Sequence, residues 1–552
     1  MDAQTLLSRL YTSPVARSVL SGLLLGLSFP PSPISSLAFI AFIPFFTVLD
    51  AEASGWRMAR FTYFFLMVFH ATTVYWTGGF THANDGWMMV AGGGLLLLHP
   101  FFLLPFVLAA WYSRRKAGRI IGLIGFVCFW TAFEYFHARG EFSFPWISVG
   151  NSQANDILRI QMAEFTSVQG LTLHLLAFNV LAYLALMEVA EGRWPASRGR
   201  TFGLAAAMIT VYVAPLLWGS LRMDDVDRGN VFPPTRVGIV QPDVDPWEKW
   251  GMNSTDKWTS YERQMLLLDS LTRTLFSERP DLVVWPETAI PVWMLLPGYR
   301  SYLDHVKSVA RDAEATVMTG LPHVLFFAKS EAPVTAKPIA GSDTYYESYN
   351  SATLIDPSGN VGPVYKKVIL VPFAERLPYA ETFRFLIEPL KWGVGISSWG
   401  MGKDTTVYTV GTRAGDSVRL SVMICYESVY PNYVREFTRK GAQVLTVITN
   451  DSWWDRTSGA YQHVAFASIR AAENRRWIVQ CANGGVSAIV DPNGRIVRRS
   501  RLYERAAWVG VVIPRTDETF YVRHGDVVGL VNLFGAGVLS MFVAFKRLGR
   551  GR

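Results

Sequence analysis

The chain has 552 residues, of which 50% are hydrophobic, 14% aromatic and 17% charged. Because soluble domains carry about 25% charged residues, this composition excludes a wholly soluble protein, and its apolar content also excludes a disordered, collagen-like or coiled-coil chain. The net charge is +8, and the 3 cysteines are too few for a disulfide framework. We therefore expect part of the chain to lie in a lipid bilayer.

Apolar runs near both ends of the chain approach the roughly 20 residues that an α-helix needs to cross a bilayer. The first two runs, Ser18–Phe29 and Leu37–Leu49, are short and separated by prolines, which predicts a tight helical hairpin whose complete passage through the bilayer stays open. The stronger predicted spans are Phe61–Trp76, Trp87–Trp111, Ile120–Phe136, Leu171–Met187, Phe202–Trp218 and Val527–Phe545. The chain is thus expected to cross the membrane several times.

Positive charge indicates which loops face the cytoplasm, because Lys and Arg concentrate on that side. Basic residues cluster at 114–119, at 193–200 and after the last span at 546–552. The intervening loops at 30–36 and 78–86 contain none, and the loop at 138–160 has only Arg139 and Arg159. This alternation predicts that both termini are cytoplasmic and that the long segment between the last two spans lies outside. In a bacterium, that is the periplasmic side of the inner membrane.

Composition also divides the chain into domains. Residues 1–218 are predicted to form an N-terminal membrane domain of about seven helices, residues 219–235 a polar linker, residues 236–514 an extracytoplasmic globular domain, and residues 515–552 a transmembrane helix with a basic tail. Within the globular part, short runs rich in β-branched residues alternate with helical patterns, which is typical of an α/β domain in which helices cover sheets.

Several familiar signatures are missing from the sequence. It contains no GxSxG, HExxH, P-loop, GxGxxG or CxxC motif, so serine-hydrolase, zinc-protease, nucleotide-binding and thioredoxin functions have no motif support. The 9 histidines are scattered without metal-ligand spacing, and neither a metal nor an organic cofactor is expected. Because the basic residues flank membrane spans, nucleic acid is not an expected partner.

Three residues at predicted strand ends stand in distinctive contexts: Glu287 in VVWPETAIP, Lys367 in VYKKVILVPFAE and Cys425 in LSVMICYES. Alone, the acid reads as a loop carboxylate, the lysine as a surface cation that the residues do not separate from Lys366, and the cysteine as an inert core thiol. Together they supply a base, an oxyanion-stabilising cation and a nucleophile, which acyl transfer through a thiolate requires.

The order of the motifs WPE, YxKxxLVPFxE and CYE resembles the nitrilase (carbon–nitrogen hydrolase) superfamily. With spans on both sides, the chain resembles more specifically the membrane-bound apolipoprotein N-acyltransferase family. Further matches are the segment Gln241–Trp250, the outside-loop motif Phe144-Pro145-Trp146 and the segment Asn450–Trp453, so the resemblance covers nearly the whole chain. It implies a multi-span α-helical membrane domain and an αββα sandwich.

The resemblance implies a role for each matching residue. Cys425 would be the nucleophile, Glu287 the general base and Lys367 the oxyanion cation, since the lysine of the family lies two residues after the tyrosine, here Tyr365. Two acids would support the lysine and the substrate amine, and three aromatic residues would shape the lipid and substrate pocket, although the tryptophan at 453 reads equally well as a core aromatic. These supporting residues are Glu375, Glu427, Tyr426, Trp250 and Trp453.

The implied activity is acyl transfer in lipoprotein maturation. A phospholipid would donate a fatty acyl chain, a cysteine thioester would carry it, and the α-amino group of a diacylglyceryl-cysteine in an apolipoprotein would accept it. The bilayer would be a further partner, and we expect a monomer. The nearest alternative is a membrane-anchored amidase or nitrilase that uses water as acceptor, and more distant ones are a transporter with a sensor domain and an inactive scaffold.

The sequence also departs from the pattern of the family. Ala374 stands where glycine is usual, Asp243 where asparagine is common, and Asp455 where glycine is frequent, while Val324–Asp343 looks like an insertion. These departures concern loop shape and substrate preference rather than chemistry. The apolar segment Arg376–Trp399 is expected to lie at the bilayer interface as a mobile lid, with a domain-packing helix as the alternative.

Overall fold

The computed structural model describes residues 13–79, 86–193, 198–229, 232–250, 259–387 and 399–548. The N-terminal part is a bundle of helices. In chain order these are α1 (Pro14–Gly26), α2 (Ile43–Ala51), α3 (Gly55–Thr73), α4 (Gly86–Leu98), α5 (Pro100–Ala117), α6 (Arg119–His137), α7 (Ala163–Ala190) and α8 (Arg198–Arg228). The chain returns to this bundle at its end, where α14 (Phe520–His524) leads into α15 (Val527–Leu548).

Within the described residues, 5 helical stretches are long and apolar enough to cross a membrane: Gly86–Ala117, Arg119–His137, Arg159–Ala190, Arg198–Arg228 and Val527–Lys546. Five of the stronger predicted spans lie inside these stretches. Phe61–Trp76 does not, because it lies on α3, where Arg57, Arg60 and His70 dilute the apolar character. The two short predicted runs coincide with shorter apolar helices, Pro14–Gly26 and Ser35–Ala51.

The segment after α8 folds into two mixed β-sheets. The first contains β1 (Thr235–Gln241), β2 (Leu282–Val284), β3 (Thr316–Ala328), β4 (Lys337–Pro338), β5 (Thr344–Ile355), β6 (Tyr365–Lys366) and β14 (Ala506–Val512). Its order is β14-β1-β2-β3-β5-β4, with β6 paired to β5. Strands β1, β2 and β3 are parallel, whereas β14 and β5 are antiparallel to their neighbours.

The second sheet contains β7 (Val407–Gly411), β8 (Ser417–Ser421), β9 (Met423–Ile424), β10 (Val444–Thr449), β11 (Trp477–Ala482), β12 (Ala488–Val490) and β13 (Ile496–Arg499). Its order is β13-β12-β11-β10-β8-β7, with β9 paired in parallel to β10. The two sheets face each other. The Cys481 thiol on β11 of one sheet is within hydrogen-bond distance of two carbonyl oxygens of the other, those of Val240 on β1 and Val284, the last residue of β2.

Helices cover both outer faces of the sheets. The helices α10 (Tyr261–Arg273) and α11 (Arg300–Ala313) pack on the first sheet, and α13 (Ser458–Asn474) packs on the second, with α12 (Pro431–Arg439) beside it. A short helix, α9 (Pro246–Lys249), follows β1. The predicted combination of a helical membrane domain with an αββα sandwich is therefore confirmed.

Three predicted segments have a definite place in this fold. The predicted insertion Val324–Asp343 carries the end of β3 and all of β4, so it lengthens the antiparallel β3–β5 hairpin and adds the edge strand β4 to the sheet. The predicted linker is helical in its first part, since α8 runs to Arg228. Of the predicted lid, residues 388–398 lie outside the described residues, and the part before them includes a 3₁₀ turn at Arg384–Leu386.

Candidate active site

The three predicted catalytic residues each follow the end of a strand. Glu287 comes three residues after β2, Lys367 directly after β6, and Cys425 directly after β9. Strands β2 and β6 belong to the first sheet and β9 to the second, so the strand ends bring the acid, the cation and the thiol to one end of the sandwich.

These side chains line one cavity of about 630 Å³ that lies between the sandwich and the helical bundle. The sandwich contributes its polar wall, with Glu287, Asn350, Lys367, Glu375 and Cys425. The bundle contributes a mostly apolar wall, in which α4 is prominent: Trp76, Thr77, Trp87, Met88, Val90, Ala91, Gly92, Gly94, Leu95, Leu98, His99 and Phe102. The cavity therefore has a polar wall from the sandwich and a mostly apolar wall from the bundle.

A buried lysine faces two carboxylates at the polar wall. The Lys367 Nζ atom lies 2.9 Å from Oε1 of Glu375 and 3.7 Å from Oε1 of Glu287. Although burial opposes the charged form, the two neighbouring acids raise the pKa of Lys367, so it remains a cation. Burial raises the pKa of Glu287 despite the opposing charge of Lys367, and such a carboxyl is suited to accept and return a proton.

The backbone at Cys425 is held in the left-handed region, with φ of 53°, where a 3₁₀ turn (Cys425–Val429) leaves β9. This conformation is uncommon for a residue other than glycine and persists only where the surroundings enforce it. Burial and the negative charge of Glu287 raise the pKa of the Cys425 thiol well above its usual range. The thiol therefore keeps its proton until a base removes it.

The two predicted supporting acids have different surroundings. Glu375 lines the cavity and accepts from Lys367 through one oxygen and from the Val371 N–H through the other. Glu427 is fully buried, and its carboxylate accepts from the N–H of Ile424 and the hydroxyl of Tyr365, both through Oε2. Its Oε1 accepts two further backbone N–H groups, from residues 368 and 369. Glu427 thus ties the lysine segment to the cysteine turn.

The three predicted aromatic residues all line the cavity. The Tyr426 hydroxyl donates to the carbonyl of Ser143 in the loop after α6, at 3.0 Å, and this bond joins the cysteine turn to the bundle. The rings of Trp250 and Trp399 meet edge to face at 6.4 Å between centroids. Trp453 packs edge to face on Trp247, another cavity residue.

Two residues of the site were missed by the sequence reasoning. The amide nitrogen of Asn350 donates to Oε1 of Glu287 at 2.6 Å and to Oε1 of Glu375 at 3.1 Å. The buried Lys249 donates to the backbone carbonyl of Glu287 at 3.2 Å, and burial lowers its pKa to about 7. The only signal in the sequence was an amide side chain in a stretch rich in polar and aromatic residues for the first and a lysine between two tryptophans for the second.

Histidines that are far apart in the sequence meet in the bundle. The His70 Nε2 atom lies 2.9 Å from Nδ1 of His99, whose Nε2 lies 2.7 Å from Nε2 of His137. The middle histidine lines the cavity. Across the described ranges, no group of three His, Cys, Asp or Glu side chains is placed to hold a metal ion.

The chain is similar to known families and proteins. Residues 236–513 match the carbon–nitrogen hydrolase model, and residues 21–181 match the model of the apolipoprotein N-acyltransferase N-terminal domain. An apolipoprotein N-acyltransferase from Chlorobaculum tepidum is 35% identical over 98% of both chains, and one from Geobacter metallireducens is 31% identical over 96% of this chain and 95% of the relative.

Among solved structures, an amidase from Nesterenkonia sp. is 19% identical and covers 52% of this chain and 92% of its own, with a TM-score of 0.36. The two family models and the relatives that match over almost the full length show the family of this chain. The chain belongs to the apolipoprotein N-acyltransferase family, whose sandwich domain is a carbon–nitrogen hydrolase.

Proposed function

We propose that this membrane acyltransferase moves a fatty acyl chain from a phospholipid to the N-terminal α-amino group of a diacylglyceryl-cysteine in an apolipoprotein, through a thioester on Cys425. The observation that carries the proposal is the single cavity in which Cys425, Lys367 and Glu287 meet the apolar wall of the helical bundle. The names of the relatives, which state N-acyl transfer to apolipoproteins, support the nature of the acceptor.

In the first half-reaction, Glu287 removes the proton of the Cys425 thiol, and the thiolate attacks the carbonyl carbon of a phospholipid acyl ester. Lys367 and a backbone N–H of the cysteine turn stabilise the oxyanion that develops on the carbonyl oxygen. The tetrahedral intermediate then expels the lysophospholipid, whose oxygen takes the proton back from Glu287. An acyl thioester remains on Cys425.

In the second half-reaction, the neutral α-amino group of the lipoprotein attacks the thioester carbon. The same cation and N–H group stabilise the second oxyanion, and Glu287 takes a proton from the attacking nitrogen. Collapse of the intermediate forms the amide and expels the Cys425 thiolate, which recovers its proton from Glu287. The two substrates use the site in turn, so we expect ping-pong kinetics.

The surroundings of the site support a lipid donor and a reaction on the periplasmic side of the membrane. The wall built by α4 offers apolar surface for an acyl chain. The alternation of loops rich in Lys and Arg with loops that have few or none supports cytoplasmic termini and a periplasmic sandwich domain, in the inner membrane of a bacterium. Since one chain supplies every wall of the cavity described above, we propose that it acts as a monomer.

A second candidate is a membrane-anchored amidase or nitrilase, supported by the match of residues 236–513 to the carbon–nitrogen hydrolase model. It would use the same nucleophile, base and cation, with water in place of the amine. The apolar wall of the cavity favours the acyl transferase, because a small amide needs no chamber of that kind.

Mass spectrometry of the purified protein after incubation with a defined phospholipid tests the proposal. We expect a fatty-acyl mass on the Cys425 peptide that hydroxylamine removes and that Cys425→Ala abolishes. Cys481→Ala is the matched control, because that thiol is also buried but lies between the sheets, so the adduct should persist. Absence of an adduct, with the phospholipid intact even when a diacylated lipopeptide is present, would favour the amidase.

A further inference from the structure

Beside Cys425 lies a row of three buried polar side chains that the proposed reaction leaves without a role. The Ser428 hydroxyl donates to the Cys425 carbonyl at 2.9 Å, and its oxygen lies 2.8 Å from Nε2 of His463. The Nδ1 atom of that histidine lies 3.0 Å from Oδ1 of Asp451. The side chains of His463 and Asp451 are 1% and 0% exposed, and none of the three lines the cavity.

The hydrogen bonds determine where the protons lie. A carbonyl oxygen only accepts, so the single hydroxyl proton of Ser428 goes to Cys425, and Nε2–H of His463 must donate to Ser428. On the other side of the ring, Nδ1 lies within hydrogen-bond distance of Oδ1 of Asp451, and this oxygen also accepts the hydroxyl proton of Thr449 at 2.6 Å.

Asp451 has few hydrogen-bond partners besides His463 and Thr449. Its other oxygen, Oδ2, is buried and has no hydrogen-bond partner among the residues that the structure describes. His463 reaches Oδ1 of Asp451 from α13, so the aspartate holds the imidazole ring in place through that oxygen.

The hydrogen bond from Ser428 to the Cys425 carbonyl matters for the chemistry, because it orients a backbone N–H next to the thiol. A trans peptide unit is planar, with its carbonyl and its N–H pointing in opposite directions, so fixing the Cys425 carbonyl also fixes the N–H of Tyr426. That peptide unit follows a residue with φ of 53°, a conformation that the surroundings must maintain. The hydrogen bond from Ser428 does so on the backbone of the nucleophile itself.

We propose that Asp451, His463 and Ser428 form a positioning relay that holds the peptide unit after Cys425, and thereby aligns both the thiol and the backbone N–H that faces the oxyanion. The relay rests on the proposed function, because it matters only where Cys425 is the nucleophile. Its members are positioning residues that act through the Ser428 hydroxyl, since none of them lines the cavity.

The test uses the full-length protein in detergent with Ser428→Ala, His463→Gln and the double variant. The single-turnover rate of Cys425 acylation by a dipalmitoyl phospholipid should fall about 10- to 100-fold in each single variant, because a small misplacement of a nucleophile costs that much. The phospholipid concentration for half-maximal rate should not change. The double variant should lose no more than the slower single variant, and Ser428→Thr should recover most of the rate.

Thr438→Val is the matched structural control, since it removes a comparable buried hydrogen bond to Asn474 at the far end of α13. Its melting temperature should fall as far as that of His463→Gln while its acylation rate stays within about 2-fold of the wild type. Multiplicative losses in the double variant, or equal rates in His463→Gln and Thr438→Val, would overturn the relay.

A second readout separates failure of the relay from failure of the proposed function. Alkylation of Cys425 by iodoacetamide needs no phospholipid, and we expect it to be slower in Ser428→Ala and His463→Gln with the same non-additive pattern. If phospholipid leaves the wild type unmodified while alkylation follows this pattern, the proposed function is wrong and the relay stands. If phospholipid acylates the wild type while both variants react like it, the relay is wrong and the function stands.

Discussion

Two clusters of buried charge in this protein have opposite compositions. At the cavity, one cation, Lys367, faces two carboxylates, Glu287 and Glu375. At the junction between the bundle and the sandwich, one carboxylate, Glu164, faces two cations, Arg222 and Arg475, with N–O distances of 2.7 Å to each. Both clusters are buried at their centre, so burial alone does not tell a catalytic charge from a structural one.

The clusters differ in how completely their hydrogen-bonding capacity is used. At the junction, the remaining donors of Arg475 reach Gln161 Oε1 at 2.6 Å and the carbonyl of Pro492 at 3.1 Å. At the cavity, Oδ1 of Asn350 has no partner among the described residues, and the carboxylate of Glu287 stands 3.7 Å from the lysine. A cluster with spare capacity beside an opening can bind and move protons, whereas a saturated one holds domains together.

The largest expected effect is that of Lys367→Met on activity. We expect kcat/KM to fall about 1,000-fold or more, because the oxyanion loses its cation. The unpaired acids line a cavity and can take up a proton, so the melting temperature should change little. Lys366→Met is the matched control, since that ammonium lies over the Tyr349 ring and its loss should leave kcat/KM within about 2-fold. The reverse ranking of the two variants would transfer the catalytic role to Lys366.

The junction should behave in the opposite way. Glu164→Ala leaves Arg222 and Arg475 without their shared carboxylate, which should cost about 3–5 kcal/mol of stability. The turnover of the molecules that remain folded should not change. Thermal unfolding and activity measured on the same sample separate the two effects. A loss of turnover at an unchanged melting temperature would make this cluster part of the active site.

Glu375→Gln tests the electrostatics of the cavity through the pH dependence of activity. Burial and the negative charge of Glu375 both raise the pKa of Glu287, so removal of that charge lowers it. Since Glu287 must be deprotonated to act as base, activity falls as the pH drops through its pKa. The acid limb of the kcat/KM profile should therefore move to lower pH in Glu375→Gln. An acid limb that stays in place or moves to higher pH would exclude electrostatic coupling of the two acids.

The sequence could place the acid and the thiol at strand ends because each follows a short apolar strand, whereas only the resemblance to the family distinguished Lys367 from Lys366. Local motifs also distinguish Cys425, which leaves β9, from Cys481, which sits within β11 and donates to carbonyls of the facing sheet. Alternating strands and helices were sufficient to predict an α/β domain. Long apolar runs were sufficient to predict most of the membrane spans.

The residues that sequence reasoning missed depend on contacts between distant segments. Asn350 meets Glu287 only because β5 lies beside β3 in the first sheet, and His463 reaches Asp451 only because α13 packs over the second. Likewise His70 and His137 share a neighbour through helix packing alone. No spacing in one sequence encodes such pairs, because they arise from the register and packing of elements.

The smallest expected effect concerns an ion pair on the outer surface of the sandwich. Arg273 lies 3.0 Å from Asp312, about as close as the groups in the two buried clusters, but the side chains are 48% and 43% exposed. Water solvates both partners when the pair is broken, so Asp312→Ala should cost less than about 0.5 kcal/mol. Thermal unfolding in low and high salt measures this cost. A loss above about 2 kcal/mol would mean that distance, rather than burial and saturation, sets the energy of these pairs, and the contrast between cavity and junction would lose its physical basis.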